Sequence, residues 1–182
     1  MKLIFSNSGG LRKVSVGHSI FGALVLGFFC SGAFAEGPRF GMKFQEPYSA
    51  LFGGGFHDGL DLDVPRLTPV RSIADGTVIL VSQYIFSNQP TNVVLIRHAN
   101  SYVSRYIHID RISVKRGEEI KRGQQFAVVE LNGPAGPNSG RQVSYPHLHL
   151  EVFHRDGLVD PESLSMTCGD GAWIWPVGCN VR

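Results

Sequence analysis

The chain has 182 residues, of which 43% are hydrophobic and 18% are charged. This composition excludes intrinsic disorder over the whole chain, and the length suits one domain with a buried core. The formal net charge of +2 is too small to indicate a nucleic-acid-binding protein.

The first 35 residues have the pattern of a secretory signal peptide. Three basic residues precede an apolar run from Ile20 to Phe29, and Ala33-Phe34-Ala35 supplies a small-x-small cleavage site. We expect cleavage after Ala35. A membrane anchor is the alternative, but the apolar run is shorter than the roughly 20 residues that a bilayer crossing needs. A lipoprotein anchor through Cys30 is disfavoured because the bulky Phe29 precedes it.

Cleavage leaves residues 36–182 with a net charge of −1, because the removed segment contains three basic residues and no acidic one. We expect an exported protein, periplasmic or extracellular at the cell wall, with no transmembrane segment after processing and no nucleic-acid partner. The remaining cysteines, Cys168 and Cys179, are expected to form a disulfide in an oxidising compartment. The absence of a Cys-x-x-Cys pair disfavours thioredoxin-like redox activity and a zinc ribbon.

The mature chain begins with an extended lead-in over residues 36–56 and continues as short apolar runs with a period of two. These runs are rich in Val, Ile, Leu and aromatic residues, and most end at turn-forming residues, which predicts strands. They are Thr77–Ser82, Thr91–Arg97, Tyr102–Ile109, Gln125–Leu131 and Leu148–Phe153. No long run after the signal segment has a helical period. The sequence therefore predicts an all-β, mostly antiparallel fold in one domain.

Two segments interrupt the strand pattern. Arg116–Gln124 is charged, has a glycine near each end and is interpreted as a solvated pair of turns. Asn132–Pro146 is a long loop rich in glycine and proline, and loops of that length are commonly functional.

The mature chain contains six histidines, and four of them have informative neighbours. His57 and Asp61 are four residues apart with a glycine between them, which favours a turn at a strand edge over one helix face. His147 and His149 are two residues apart on a predicted strand, so both imidazoles are expected on the same face. His108 lies near the end of another predicted strand.

These residue types suit a catalytic zinc site. Catalytic zinc commonly takes three protein ligands from His, Asp and Glu and leaves the fourth position to water, whose pKa falls from 15.7 to about 7. Additional histidines can carry the proton and stabilise the oxyanion. Asp61 and Asp63 share a strand face, so spacing leaves open which carboxylate binds. The His-Glu-x-x-His helix of thermolysin-type enzymes and the Gly-x-Ser-x-Gly elbow are both absent.

Five segments in order resemble the lysostaphin-like zinc metallopeptidases. The segment Phe56–Asp63 resembles the His-x-Gly-x-Asp box of that family, and Pro146–Val152 is similar to its His-Leu-His signature with a following glutamate. Pro69–Val78 is similar to the strand-turn-strand that follows the first box in the family. Tyr106–Ile109 is similar to its Tyr-x-His-Leu segment, and Gly117–Gln124 is similar to its glycine-bounded hairpin. The resemblance runs from about Tyr48 to Pro161.

The resemblance implies one zinc ion per chain, with His57, Asp61 and His149 as its ligands, and it favours Asp61 over Asp63. It implies that His108 and His147 are catalytic residues beside the metal and do not bind it. The implied activity is a zinc metalloendopeptidase that hydrolyses peptide bonds in the stem peptides or cross-links of peptidoglycan. The implied fold is a compact, single-domain antiparallel β-sheet with an active-site groove, of the duplicated hybrid motif type.

Other positions receive roles beside this set. We expect Glu151 to support a ligand or form a salt bridge, His98 to be structural and His154 to lie on the surface. Ser87–Pro90 and an insertion at Ser139–Tyr145 depart from the family pattern, and both are expected to border the groove.

The expected organisation is a signal peptide over residues 1–35, a lead-in over 36–47, a metallopeptidase domain over 48–165 and a tail over 166–182. We expect a monomer. One alternative is an inactive relative that binds and activates a cell-wall amidase, but such relatives typically lose zinc ligands. Another is a peptidoglycan-binding module with structural zinc, which would need a fourth protein ligand that is absent at motif spacing.

Overall fold

The computed structural model describes residues 37–48, 54–86, 89–130 and 146–179. The predicted signal segment and nearly all of the predicted loop Asn132–Pro146 lie outside these residues. Within them, no helix has the length and apolar character needed to cross a membrane.

Ten strands form in the described part of the chain, and the prediction of an all-β fold is confirmed. Two 3-10 turns, Ala99–Ser101 and Pro161–Leu164, accompany them. The strands are β1 Arg39–Phe40, β2 Leu60–Asp63, β3 Pro69–Arg71, β4 Gly76–Phe86, β5 Gln89–His98, β6 Tyr102–Asp110, β7 Glu119–Ile120, β8 Gln125–Val129, β9 His147–His154 and β10 Gly157–Val159.

The five predicted strands correspond to β4, β5, β6, β8 and β9. The strands that the apolar runs did not predict are two to four residues long, too short to show a period. The charged segment Arg116–Gln124 forms turns around the two-residue strand β7, as its glycines indicated.

All strand pairs are antiparallel, and the main sheet has the order β1-β2-β9-β6-β5-β4-β7. Strand β10 adds to β9, and β8 pairs with both β3 and β6. The central strands β9 and β6 contribute much of the buried core, because their apolar side chains alternate with the polar ones. The largest fully buried residues include Tyr106, Phe126, Leu60, Leu62, Leu148 and Leu150.

The C-terminal segment packs on the sheet through its backbone and through Val177, which belongs to the core. The amide of Ile174 donates to the carbonyl of Ile73 at 3.0 Å, and the carbonyl of Pro176 accepts from Arg71 at 2.8 Å. The predicted disulfide Cys168–Cys179 is present, with a Cα–Cα distance of 5.6 Å.

Candidate active site

His57 is held from both sides by the lead-in segment that precedes it. Its amide donates to the carbonyl of Glu46 at 2.9 Å, and its own carbonyl accepts from Gln45 at 2.9 Å. The ring nitrogen Nδ1 donates to the carbonyl of Lys43 at 3.0 Å. Because that bond places the proton on Nδ1, the neutral ring presents the lone pair of Nε2 to the site.

Gly59 lets the turn after His57 pass directly against β9. A Cβ built on Gly59 would lie 2.5 Å from the carbonyl oxygen of Leu150 and 2.9 Å from Nε2 of His149. Only a residue without a side chain fits this approach. The expectation of a turn before a strand edge is confirmed, since β2 begins at Leu60, directly after the turn.

The register between β2 and β9 brings the carboxylates and the second pair of histidines together. Asp61 lies opposite His149, and Asp63 lies opposite His147. Oδ1 of Asp61 is 2.8 Å from Nδ1 of His149 and 3.2 Å from Nε2 of His57, and the two ring nitrogens are 3.0 Å apart. One donor atom each from His57, Asp61 and His149 therefore lies in a cluster that could hold a metal ion.

Glu151 occupies the outer edge of His149. Nε2 of His149 donates to Oε1 of Glu151 at 3.0 Å, and that carboxylate also pairs with the guanidinium of Arg105. Glu151 is almost fully buried. The bond from Nε2 to Glu151 fixes the orientation of the His149 ring, and as a result Nδ1 of His149 faces Asp61.

The electrostatics of the cluster follow from burial and close charge pairing. Burial opposes ionisation of Asp61, but the hydrogen bond from His149 and the other imidazoles around the carboxyl outweigh it and hold its pKa far below its usual range. Burial also disfavours protonated His149, yet hydrogen bonds to Asp61 and Glu151 raise its pKa to about 9.

His108 reaches the site from a bulge in β6. Asn92 of β5 pairs with Ile109 of β6, and the next residue, Val93, pairs with Ile107. His108 is therefore the extra residue of β6 in this bulge. Its φ of 62° is unusual for a non-glycine residue, and such backbone conformations concentrate at functional sites.

His108 and His147 lie side by side, with ring centroids 4.7 Å apart. Nε2 of His147 is 3.7 Å from Oδ1 of Asp61, which connects this pair to the cluster of potential ligands. Burial lowers the pKa of His108, and a nearby Glu130 carboxylate opposes that shift. The structure thus brings all five residues of the resemblance into one site.

The other singled-out residues lie outside the cluster. Asp63 has a buried Oδ1 without a hydrogen-bond partner among the described residues, and burial raises its pKa. His98 is buried and bonds to the carbonyl of Asp75 and the hydroxyl of Ser104, as a structural residue does. His154 is partly exposed, and its ring stacks on Tyr102 at a centroid distance of 4.4 Å.

Sequence reasoning missed Thr91, Glu130 and the carbonyl of Lys43, all of which contact a site histidine. Thr91 lies 3.2 Å from Nδ1 of His108, and Glu130 lies 3.8 Å from the same atom. One signal for Glu130 was available, since it is the charged residue in the apolar run Gln125–Leu131. The Lys43 contact uses the main chain, which carries no sequence signal.

Comparison with known proteins identifies the family. A model described as peptidase family M23 matches residues 55–161. The chain belongs to this family. The M23 region is similar to the peptidoglycan DD-endopeptidase ShyB of Vibrio cholerae, with 40% identity over 104 residues that cover 57% of this chain. The chain spans only 22% of the length of ShyB.

Solved structures show the same fold for the M23 region. A zinc-containing peptidase from Vibrio cholerae is 32% identical, with a TM-score of 0.53 over 70% of this chain and 38% of that one. Lysostaphin from Staphylococcus simulans is 21% identical, with a TM-score of 0.54 over 71% of this chain and 52% of that one. The family resemblance and the lysostaphin-like fold are thereby confirmed.

Proposed function

We propose that the protein is a zinc-dependent endopeptidase that cleaves peptide bonds in peptidoglycan. The observation that carries this proposal is the cluster of His57, Asp61 and His149, with the paired rings of His108 and His147 at its side. Membership of a peptidase family supports it, as does similarity to a relative named as a peptidoglycan DD-endopeptidase.

The donor set fits zinc. Two imidazole nitrogens and one carboxylate oxygen are the ligand types of catalytic zinc, and tetrahedral ligands at about 2.0–2.2 Å from the ion lie roughly 3.3–3.6 Å from one another. The three distances here, 2.8, 3.0 and 3.2 Å, approach that spacing. We therefore assign Nε2 of His57, Oδ1 of Asp61 and Nδ1 of His149 as the ligand atoms. When bound, zinc supplies a Lewis acid that polarises a carbonyl group and activates water near neutral pH.

The protein groups around these ligands fix their orientation. The carbonyl of Lys43 and the carboxylate of Glu151 each accept the outer N–H of a ligand histidine, which keeps both inner nitrogens directed at the same point. His108 and His147 are then the residues that move a proton and stabilise the oxyanion of the tetrahedral intermediate.

The location of this activity follows from the first 35 residues. Their basic start, apolar run and Ala33-Phe34-Ala35 site support export to the periplasm or the cell surface, where peptidoglycan lies. We propose that residues 1–35 are removed on export and that the M23 region acts there. Its monomeric state stays a prediction.

The test measures zinc content and release of soluble muropeptides from purified cell walls, for the wild type and His149→Ala. We expect about one zinc per wild-type chain, with both metal and activity lost in the variant. The control is His154→Ala, which removes a histidine of the same strand outside the cluster and should keep both. Full activity without bound metal, or in His149→Ala, would overturn the proposal.

A second pair of variants separates metal binding from proton transfer. His108→Ala and His147→Ala are expected to keep zinc while turnover falls by about 10²-fold or more, in the range of general acid–base catalysis. Loss of zinc in either variant would show that the ligand assignment is wrong. Zinc binding by the wild type without muropeptide release would instead favour the alternative of a peptidoglycan-binding module with structural zinc.

A further inference from the structure

The side chains of three residues, His108, Thr91 and Glu130, meet where the ring of His108 turns away from the site. The Oγ1 hydroxyl of Thr91 lies 3.2 Å from Nδ1 of His108 and 2.9 Å from Oε2 of Glu130. The carboxylate is also 3.8 Å from the same ring nitrogen. Thr91 is fully buried, and the side chain of Glu130 is only 11% exposed, so water competes little for these groups.

The backbone holds the same three residues in place. The amide of Glu130 donates to the carbonyl of His108 at 2.8 Å, across the point where the bulge interrupts regular pairing. Asn92, next to Thr91, donates from its side chain to the carbonyl of Ile109 at 2.9 Å. Both sides of the bulge are therefore fixed, and the His108 ring is held against the Thr91 hydroxyl.

The direction of the hydrogen bonds determines where the proton of His108 lies. A threonine hydroxyl has one proton to donate, and a carboxylate can only accept. The bond of Thr91 to Glu130 uses that proton, so Oγ1 must accept from Nδ1 of His108. The proton of the neutral imidazole is therefore on Nδ1, and its lone pair is on Nε2.

We propose that Thr91 and Glu130 are positioning residues that hold His108 in the Nδ1–H tautomer, which makes His108 the proton acceptor of the reaction. This inference rests on the proposed peptidase function and deepens it. A histidine in the opposite tautomer would present an N–H and could only stabilise an oxyanion.

The proton transfer can be followed through the reaction. An O–H bond of the attacking water breaks as its oxygen bonds to the scissile carbonyl carbon, and the proton goes to Nε2 of His108. The ring then carries a positive charge 3.8 Å from Glu130 and still donates from Nδ1 to Thr91. When the C–N bond breaks, the proton passes from Nε2 to the leaving amine nitrogen, which restores neutral His108.

The first experiment reads the tautomer directly and does not depend on activity. The zinc-loaded protein is labelled with ¹⁵N at histidine, and the chemical shifts of the His108 nitrogens are assigned with the help of His108→Gln. We expect the shift of a protonated nitrogen at Nδ1 and that of a lone-pair nitrogen at Nε2. The reverse assignment would overturn the proposal.

The second experiment measures turnover in Thr91→Val, Thr91→Ser and Glu130→Gln, each with its zinc content. Thr91→Val is expected to lower kcat about 10²-fold, part of the 10²–10⁴ that general acid–base catalysis supplies, with zinc retained and KM within about twofold. Thr91→Ser keeps the hydroxyl and should restore most of kcat. Glu130→Gln should lower kcat about tenfold, because the charge beside the protonated ring is lost.

A matched control uses the second histidine–hydroxyl pair of the fold. Ser104→Ala removes a buried hydroxyl that bonds His98 at 2.7 Å, outside the site, and should leave kcat unchanged. Wild-type kcat in Thr91→Val would overturn the proposal, and so would an equal loss in Thr91→Ser. If the wild type releases no muropeptides, the peptidase function fails, while the tautomer measurement still tests the contact network.

Discussion

Replacing Gly59 with alanine should destabilise the protein and loosen the metal site together. The new Cβ would lie 2.5 Å from the carbonyl oxygen of Leu150, whereas ordinary contact begins near 3.4 Å. That oxygen cannot retreat easily, because Leu150 is paired with Leu60 in the β2–β9 ladder. Overpacking costs about 1–3 kcal/mol, and we expect the upper part of this range, about 2–3 kcal/mol, because the obstacle is backbone.

Thermal and urea unfolding of the purified protein measure this effect. For a domain of this size the expected loss corresponds to a fall in Tm of roughly 4–12 °C. The affinity for zinc should fall too, because the same Cβ would lie 2.9 Å from Nε2 of His149. Gly157→Ala is the control, since a Cβ on Gly157 meets nothing within 4 Å. An unfolding free energy for Gly59→Ala within about 0.5 kcal/mol of the wild type would refute this reasoning.

Three further results are expected. Burial lowers the pKa of His98 in the folded protein, so the stability that depends on its neutral form is present above pH about 6.5 and is lost as the pH falls. In urea unfolding from pH 7.5 to 5, the free energy of unfolding should decline more steeply for the wild type than for His98→Gln. Parallel curves would contradict this. Replacing both Cys168 and Cys179 with serine should lower the free energy of unfolding by about 3 kcal/mol, from the chain entropy of the short loop that the disulfide closes; an unchanged urea midpoint would show that the disulfide does not constrain the unfolded chain. Glu151→Gln should weaken zinc binding by about 10–100-fold in a chelator competition assay, because the outer partner of His149 loses its charge; wild-type affinity would mean that this contact does not tune the ligand.

The main strands and part of the site were predictable because they depend on local periodicity. The two-residue repeat identified β4, β5, β6, β8 and β9, and the same repeat placed His147 and His149 on one face of β9. The choice of Asp61 over Asp63 came from the family resemblance, since both residues lie on the same face of one strand. In the structure the two differ by register, because only Asp61 pairs with His149.

The rest of the site depends on contacts that have no local pattern. Thr91 and Glu130 meet His108 across 17 and 22 residues of chain, at a bulge where His108 has a positive φ. The two-residue repeat of the strand does not predict that backbone conformation. The carbonyl that orients His57 belongs to the backbone, and any residue at position 43 could supply it. Such features follow from strand register and from main-chain geometry, which a single sequence does not display.

The folded domain of this protein extends beyond the end of the family match, because the C-terminal segment is part of it. The family match stops at residue 161, yet Val177 fills part of the core and the backbone of residues 174 and 176 pairs with that of residues 73 and 71. A chain ended at the family boundary would expose the apolar surface under Val177 and leave those main-chain groups to water. The segment beyond the family match, closed by the disulfide, therefore belongs to the folded domain, and engineering of this protein should treat residues 162–179 as part of its minimal stable form.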